Sequence, residues 1–179
     1  GDIDGDGDED ILCNHWGLVK GQGMTWLEHI DTAPWFVEHV IGTDADTHGN
    51  GLGDINMDGR IDIVTSDGWY EQPADARAKS WPFHADYHFR AARNSGGGAA
   101  SHPILVHDVD EDGLNDILIG SSHAYGLAWL QQQKDTSGKR VFETHWIETE
   151  YTQFHTLALG DLNGDGKADL VTGKRLFAH

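Results

Sequence analysis

The chain has a single cysteine, Cys13, among 179 residues. No intrachain disulfide can form, and thiolate zinc cages are excluded. Basic residues are scarce, 12 Lys and Arg against 30 Asp and Glu, for a net charge of −18. A phosphate-backbone partner needs clustered Lys and Arg, so nucleic acid is excluded as a ligand class. No apolar run approaches the ~20 residues that span a bilayer, so no membrane insertion is expected of this segment. The opening Gly1-Asp2-Ile3-Asp4 carries neither a basic nor an apolar leader region. With 38% hydrophobic residues the composition is nonetheless that of a globular chain. An acidic excess this large repels itself unless divalent cations neutralise it.

What is present is a repeat. Four segments align: Asp2 to Ile11, Asp54 to Ile63, Asp108 to Ile117 and Asp161 to Leu170, their first aspartates 52, 54 and 53 residues apart. Repeat bounds near 1–47, 48–101, 102–154 and 155–179 follow, the first and last incomplete, all within one domain. After each segment comes a short apolar stretch (Ile11-Leu12, Ile61 to Val64, Ile117 to Ile119, Leu170-Val171). A tryptophan-bearing stretch follows (Met24 to Leu27, Trp69-Tyr70, Leu127 to Leu130), then an alternating one (Phe36 to Val40, Phe142 to Ile147). Another leads into the next segment, as in Ile104 to Val106 and Thr156 to Leu159. These runs are short, β-branched or aromatic, and bounded by Gly, Asp or Asn, which are strand signals. Four antiparallel strands in ~50 residues predict the blade of an all-β propeller. Three to four blades are present, as a fragment of a larger, seven-bladed one.

Each segment carries Asp or Asn at positions 1, 3 and 5, Gly at 6 and Asp at 9. The sets are Asp2, Asp4, Asp6, Asp10; Asp54, Asn56, Asp58, Asp62; Asp108, Asp110, Asp112, Asp116; and Asp161, Asn163, Asp165, Asp169. Alternate residues of a tightly curled loop point inward, and Gly7, Gly59, Gly113 and Gly166 permit the turn. The position-7 carbonyls of Asp8, Arg60, Leu114 and Lys167 complete the expected oxygen set. Hard oxygen donors on a flexible loop select calcium over zinc, copper or magnesium. About four Ca²⁺ ions, one per loop, would cancel eight of the eighteen net negative charges. An EF-hand would place Glu at position 12, where Cys13, Thr65, Ile119 and Thr172 stand instead, in strand stretches. The plainer alternative is four Asp-Gly turns that join strands without metal.

These loops resemble those of the FG-GAP and VCBS repeat family, whose integrin-like propellers bind calcium in hairpins of the form D-x-[DN]-x-D-G-x-x-D. Literal Phe-Gly and Gly-Ala-Pro motifs are absent. The resemblance implies a propeller, calcium, a carbohydrate or protein ligand, further blades and domains in the parent chain, and an extracellular or periplasmic location.

Histidine also recurs: His48, His102 and His155 each stand six residues before a first loop aspartate. Six residues of strand at ~3.3 Å each put these imidazoles about 20 Å from the loops, at the opposite end of the hairpin. The next strand returns there with His15, Trp69, His123 and the pair Lys174-Arg175. Two readings stand side by side: a hydrogen bond that fixes the register of neighbouring blades, or a ligand or catalytic site, with a Zn²⁺-like ion on the histidines. His39 and His145, in the alternating stretches, are expected at the outer surface. The ending 169–179 resembles a segment of aldos-2-ulose dehydratase-like proteins. That resemblance implies a metal-dependent carbohydrate lyase, with His48, His102 and His155 as metal ligands or base and Lys174 and Arg175 stabilising an enolate.

Overall fold

The computed structural model describes residues 1–14, 23–45, 47–93 and 99–174, with Lys174 described by its backbone alone. His15 and Arg175 lie outside the described residues. Thirteen strands and no helix are found among those described. They fall, in chain order, into four antiparallel sheets. The first holds β1 (Ile11–Asn14), β2 (Met24–His29) and β3 (Phe36–Gly42). The second holds β4 (Asn50–Gly53), β5 (Asp62–Thr65), β6 (Gly68–Tyr70) and β7 (Phe83–His84). The third holds β8 (Leu105–His107), β9 (Asp116–Gly120), β10 (Tyr125–Lys134) and β11 (Arg140–Thr152), and the last pairs β12 (Phe154–Gly160) with β13 (Asp169–Lys174). In the last three sheets the aspartate loop joins the first strand to the second, at the intervals the repeat predicts.

Consecutive sheets bury their faces against each other. Met24, Trp26 and Ile41 of the first sheet pack on Ile63 and Tyr70 of the second, with Trp81 beside them. Val64 and Trp69 of the second meet Ile117, Ile119, Ala128 and Leu130 of the third. Leu127 of the third meets Phe154 and Leu157 of the fourth in a smaller cluster. Trp26, Trp69 and Trp81 are all but inaccessible. Each buries roughly 200 Å² of largely apolar surface, a gross contribution of about 5 kcal/mol.

Two strands carry no side-chain signal, although the first stands within the six residues from His48 to Asp54 that the spacing reads as strand. β4 reads Asn-Gly-Leu-Gly and carries no strand signal, because its glycines are where the first strands of two sheets touch. A Cβ on Gly51 would overlap the Ile104 carbonyl, and one on Gly53 would overlap Val106. The Ile104 amide donates to the Asn50 carbonyl at 2.8 Å across this seam. Gly51→Val should therefore destabilise the chain by about 3 kcal/mol in urea unfolding, as overpacked sites do. Gly160→Ala, with open space around it, should stay within about 0.5 kcal/mol. The other strand, β7, is two residues long and escapes the sequence reading.

His39 and His145 are not the plain outer positions expected of them. A tryptophan of β2, β6 or β10 lies directly opposite a histidine of the next strand: Trp26 faces His39, Trp69 faces His84 and Trp129 faces His145. The ring centroids are 4.7, 4.3 and 4.7 Å apart. Two residues after each tryptophan, on the same face of the strand, Glu28, Glu71 or Gln131 holds the histidine Nε2 at 2.6, 2.8 or 3.0 Å. The same three-residue clasp therefore closes the outer edge of three sheets.

Candidate functional site

All four aspartate loops fold by the same local rules. The position-1 carboxylate accepts the amide of the position-6 glycine: Gly7 to Asp2 at 3.1 Å, Gly59 to Asp54 at 2.8 Å, Gly113 to Asp108 at 2.9 Å and Gly166 to Asp161 at 2.9 Å. Position 3 accepts from the amide of position 5, as Asp58 donates to Asn56 at 3.0 Å and Asp165 to Asn163 at 2.8 Å. Position 5 accepts from position 7 through the amides of Asp8, Arg60, Leu114 and Lys167, at 3.1, 3.0, 2.8 and 2.9 Å. Such side-chain turns curl the backbone. The glycines at position 6 sit at φ between 85 and 103°, where a Cβ is strained.

The curl gathers oxygens. Carboxylate oxygens of Asp2, Asp4 and Asp6 lie within 4.8 Å of one another, as do those of Asp108, Asp110 and Asp116. Ligands on opposite sides of a calcium ion, each at about 2.4 Å, are separated by the same distance. The donor set is all oxygen, and three converging carboxylates would gain from a hard cation between them, so these residues fit calcium.

Position 9 has a second task that its spacing does not reveal. One oxygen accepts the position-2 amide in every loop: Ile3 to Asp10 at 2.8 Å, Ile55 to Asp62 at 2.9 Å, Val109 to Asp116 at 3.0 Å and Leu162 to Asp169 at 2.9 Å. In the first three the other oxygen accepts an amide from farther along the sheet, that of His29, Gln72 or Gln132, at 3.0, 2.9 and 2.7 Å. Asp10, Asp62 and Asp116 are buried by this clasp. Both glutamines also reach back to the preceding loop, where the Gln72 amide donates to the Ile3 carbonyl and the Gln132 amide to the Ile55 carbonyl. Asn115 adds a bond to the Asp54 carbonyl at 2.7 Å. Gln72 stands 18 residues and Gln132 24 residues past the first aspartate of their loops. The unequal hairpins hide this correspondence from any column of the repeat.

Electrostatics follow from burial. Desolvation pushes Asp62 up to about 6, against the pull of the Gln72 and Ile55 amides. Burial raises Asp116 and Asp4 as well, the latter opposed by Arg77. At the exposed Asp161, the amides of Gly166 and Gly164 hold the carboxyl below its usual range. For Asp62 the unfolded chain loses its proton near pH 4 and the folded, metal-free chain near 6. That contribution to stability is complete below about pH 4 and is lost as pH rises through about 6. Urea midpoints of chelator-treated protein should record this as a fall between pH 4 and 7, smaller in Asp62→Asn.

At the opposite end of the hairpins, the rings of His48 and His123 are 4.9 Å apart, His123 and His155 5.3 Å, and His48 and His155 6.2 Å. The histidine column thus contributes two members to this cluster. The third, His102, is exposed and lines a cleft of about 320 Å³ with Leu12, Asn14, His48, Gly49 and Asn50. His48 Nδ1 lies 2.9 Å from the carbonyl of Ala100, which itself bridges to Ser121 just after β9 of the third sheet, as a register bond between sheets requires. Asn50 is buried, and its Oδ1 has no hydrogen-bond partner. Trp69, expected at this end, is buried between sheets. The Lys174 side chain and Arg175 lie outside the described residues.

No curated protein and no solved structure matches the chain. Residues 108–172, from the first aspartate of the third loop into β13, match the family model described as an FG-GAP-like repeat, and the chain carries that repeat.

Proposed function

We propose that this chain is part of a calcium-stabilised β-propeller that serves outside the cell or in the periplasm as a ligand-binding module or scaffold. The observation that carries this reading is the identical turn network of four acidic loops, two of which bring three carboxylates to one point. In each loop the residues at positions 1, 3, 5 and 9, with the carbonyl at position 7, would hold one ion. Face-to-face stacking of consecutive four-stranded sheets supports the propeller, and the FG-GAP-like repeat supports a binding or scaffold role. The cleft lined by Asn14, His48, Asn50 and His102 is polar and suited to a hydroxyl- or amide-bearing ligand, carbohydrate or protein. Elemental analysis after gel filtration tests the proposal: about four calcium ions per chain are expected, and a calcium-free chain that keeps its fold would overturn it.

A metal-dependent carbohydrate lyase or dehydratase is the second reading, favoured by the convergence of His48 and His155 with His123. It also requires Lys174 and Arg175 beside them. Eliminative turnover of a sugar, lost in His155→Ala, would place it ahead of the scaffold.

A further inference from the structure

We propose that Gln131 is a positioning residue for the cation of the third aspartate loop, acting through the outward oxygen of Asp110, a role that rests on the calcium reading of the loops. Position 3 is Asp4, Asn56, Asp110 and Asn163 in turn, so acid and amide alternate. In every loop the Oδ1 of this residue accepts the position-5 amide: from Asp6 at 3.2 Å, Asp58 at 3.0 Å, Asp112 at 3.3 Å and Asp165 at 2.8 Å. Asparagine has no other side-chain oxygen, so Oδ1 is the atom that Asn56 and Asn163 can offer a cation. The shared turn gives Oδ1 the same duty in Asp4 and Asp110. It leaves each aspartate a second oxygen that faces away from the ion.

The two kinds of loop hold that outward atom differently. Asn56 has an amide nitrogen there, which donates within the loop to Asp58 at 2.9 Å. An ionised aspartate oxygen can only accept, and in both acid loops the donor comes from outside. Gln131 Nε2 donates to Asp110 Oδ2 at 2.5 Å, and the Arg77 guanidinium donates to Asp4 Oδ2 at 2.5 Å. Each donor is held in turn by the tryptophan-histidine clasp of the loop's own sheet. Gln131 Oε1 faces His145 Nε2 at 3.0 Å and accepts from Gln133 at 2.8 Å. Arg77 Nε donates to Glu28 at 3.0 Å, and Glu28 holds His39 at 2.6 Å. The clasp therefore reaches the loop by one bridging residue in the first sheet and directly in the third. Outer bonds of this kind fix a ligand's orientation and strengthen its hold on the metal. Gln131 carries no charge, so its contribution is positioning alone, whereas Arg77 also adds a positive charge beside the first loop.

The test is a calcium titration of the full chain by two-dimensional NMR, in which the position-6 glycine amide reports each loop. Gly113 donates to Asp108 and Gly166 to Asp161, so each senses the ion in its own loop. Gln131→Met removes the donor, keeps the length of the side chain and changes no charge. It should raise the half-saturating calcium concentration at Gly113 about tenfold, the lower end of losses from a missing outer partner. Gly166, in the fourth loop, should titrate as in the parent chain. In an Asp110→Asn background, where position 3 has an amide of its own as in the second loop, Gln131→Met should have no effect at Gly113. A role confined to propping His145 would instead give the same loss in both backgrounds. A Gly113 midpoint unmoved by Gln131→Met, or moved equally with and without Asp110→Asn, overturns the role of Gln131 while the calcium reading stands. Glycine amides that ignore calcium in the parent chain overturn both.

Discussion

Stripping calcium from the chain is expected to bring it to the edge of unfolding at room temperature. One ion at a hundredfold excess over its dissociation constant stabilises the folded state by about 2.7 kcal/mol. Four such loops together contribute roughly 11 kcal/mol, comparable to the whole stability of an ordinary domain. Without the ions, the carboxylates of Asp108, Asp110 and Asp116 repel one another, and those of Asp2, Asp4 and Asp6 do so against the pull of the Arg77 guanidinium on Asp4. Calorimetric melting with calcium and then with chelator should show a fall of tens of degrees, reversed when calcium returns. An unchanged melt would mean that the loops are held by their amide bonds alone.

The second large effect is expected at the ninth loop position, and it separates metal from architecture. Asp116 is fully buried and accepts the amides of Val109 and Gln132 at 3.0 and 2.7 Å. Hydrogen bonds to a charged group contribute about 1.5 to 3 kcal/mol each, so Asp116→Ala should cost roughly 3 to 5 kcal/mol in urea unfolding even with chelator present. Asp112 is exposed, and its carboxylate accepts the amide of Leu114 in its own loop. Asp112→Ala should destabilise the chain in calcium and scarcely at all in chelator. Equal losses for the two variants in chelator would refute the double role of position 9.

Most of the fold was legible because the repeat announces itself. Once four loops align, strands such as Ile117 to Ile119 and Leu127 to Leu130 fall at set distances from them, and the sheets appear where expected. What the sequence conceals has a physical reason in each case. β4 has no side-chain pattern because Gly51 and Gly53 are selected by the closeness of Ile104 and Val106. The partners of His39, His84 and His145 are hidden because a cross-strand stack depends on register, which spacing alone does not disclose. Gln72 and Gln132 do the same work at different offsets. His123 and His155 meet although only the latter belongs to the repeated column, since one lies on an exposed turn and the other opens the next hairpin. The turns of the four loops were the easiest part to read, as alternation on a curled backbone is a local rule.

Gln72 and Gln132 make the first three loops something other than separate receptacles. Each glutamine holds the ninth aspartate of its own loop by its backbone and the second residue of the preceding loop by its side chain. Whatever tightens one loop therefore restrains its neighbour, and the ordering cost of the next ion is partly met before it arrives. If these loops take calcium as proposed, such an array would load as a cooperative ladder and come apart the same way, and this edge of the sheets would pass from slack to rigid over a narrow span of calcium concentration.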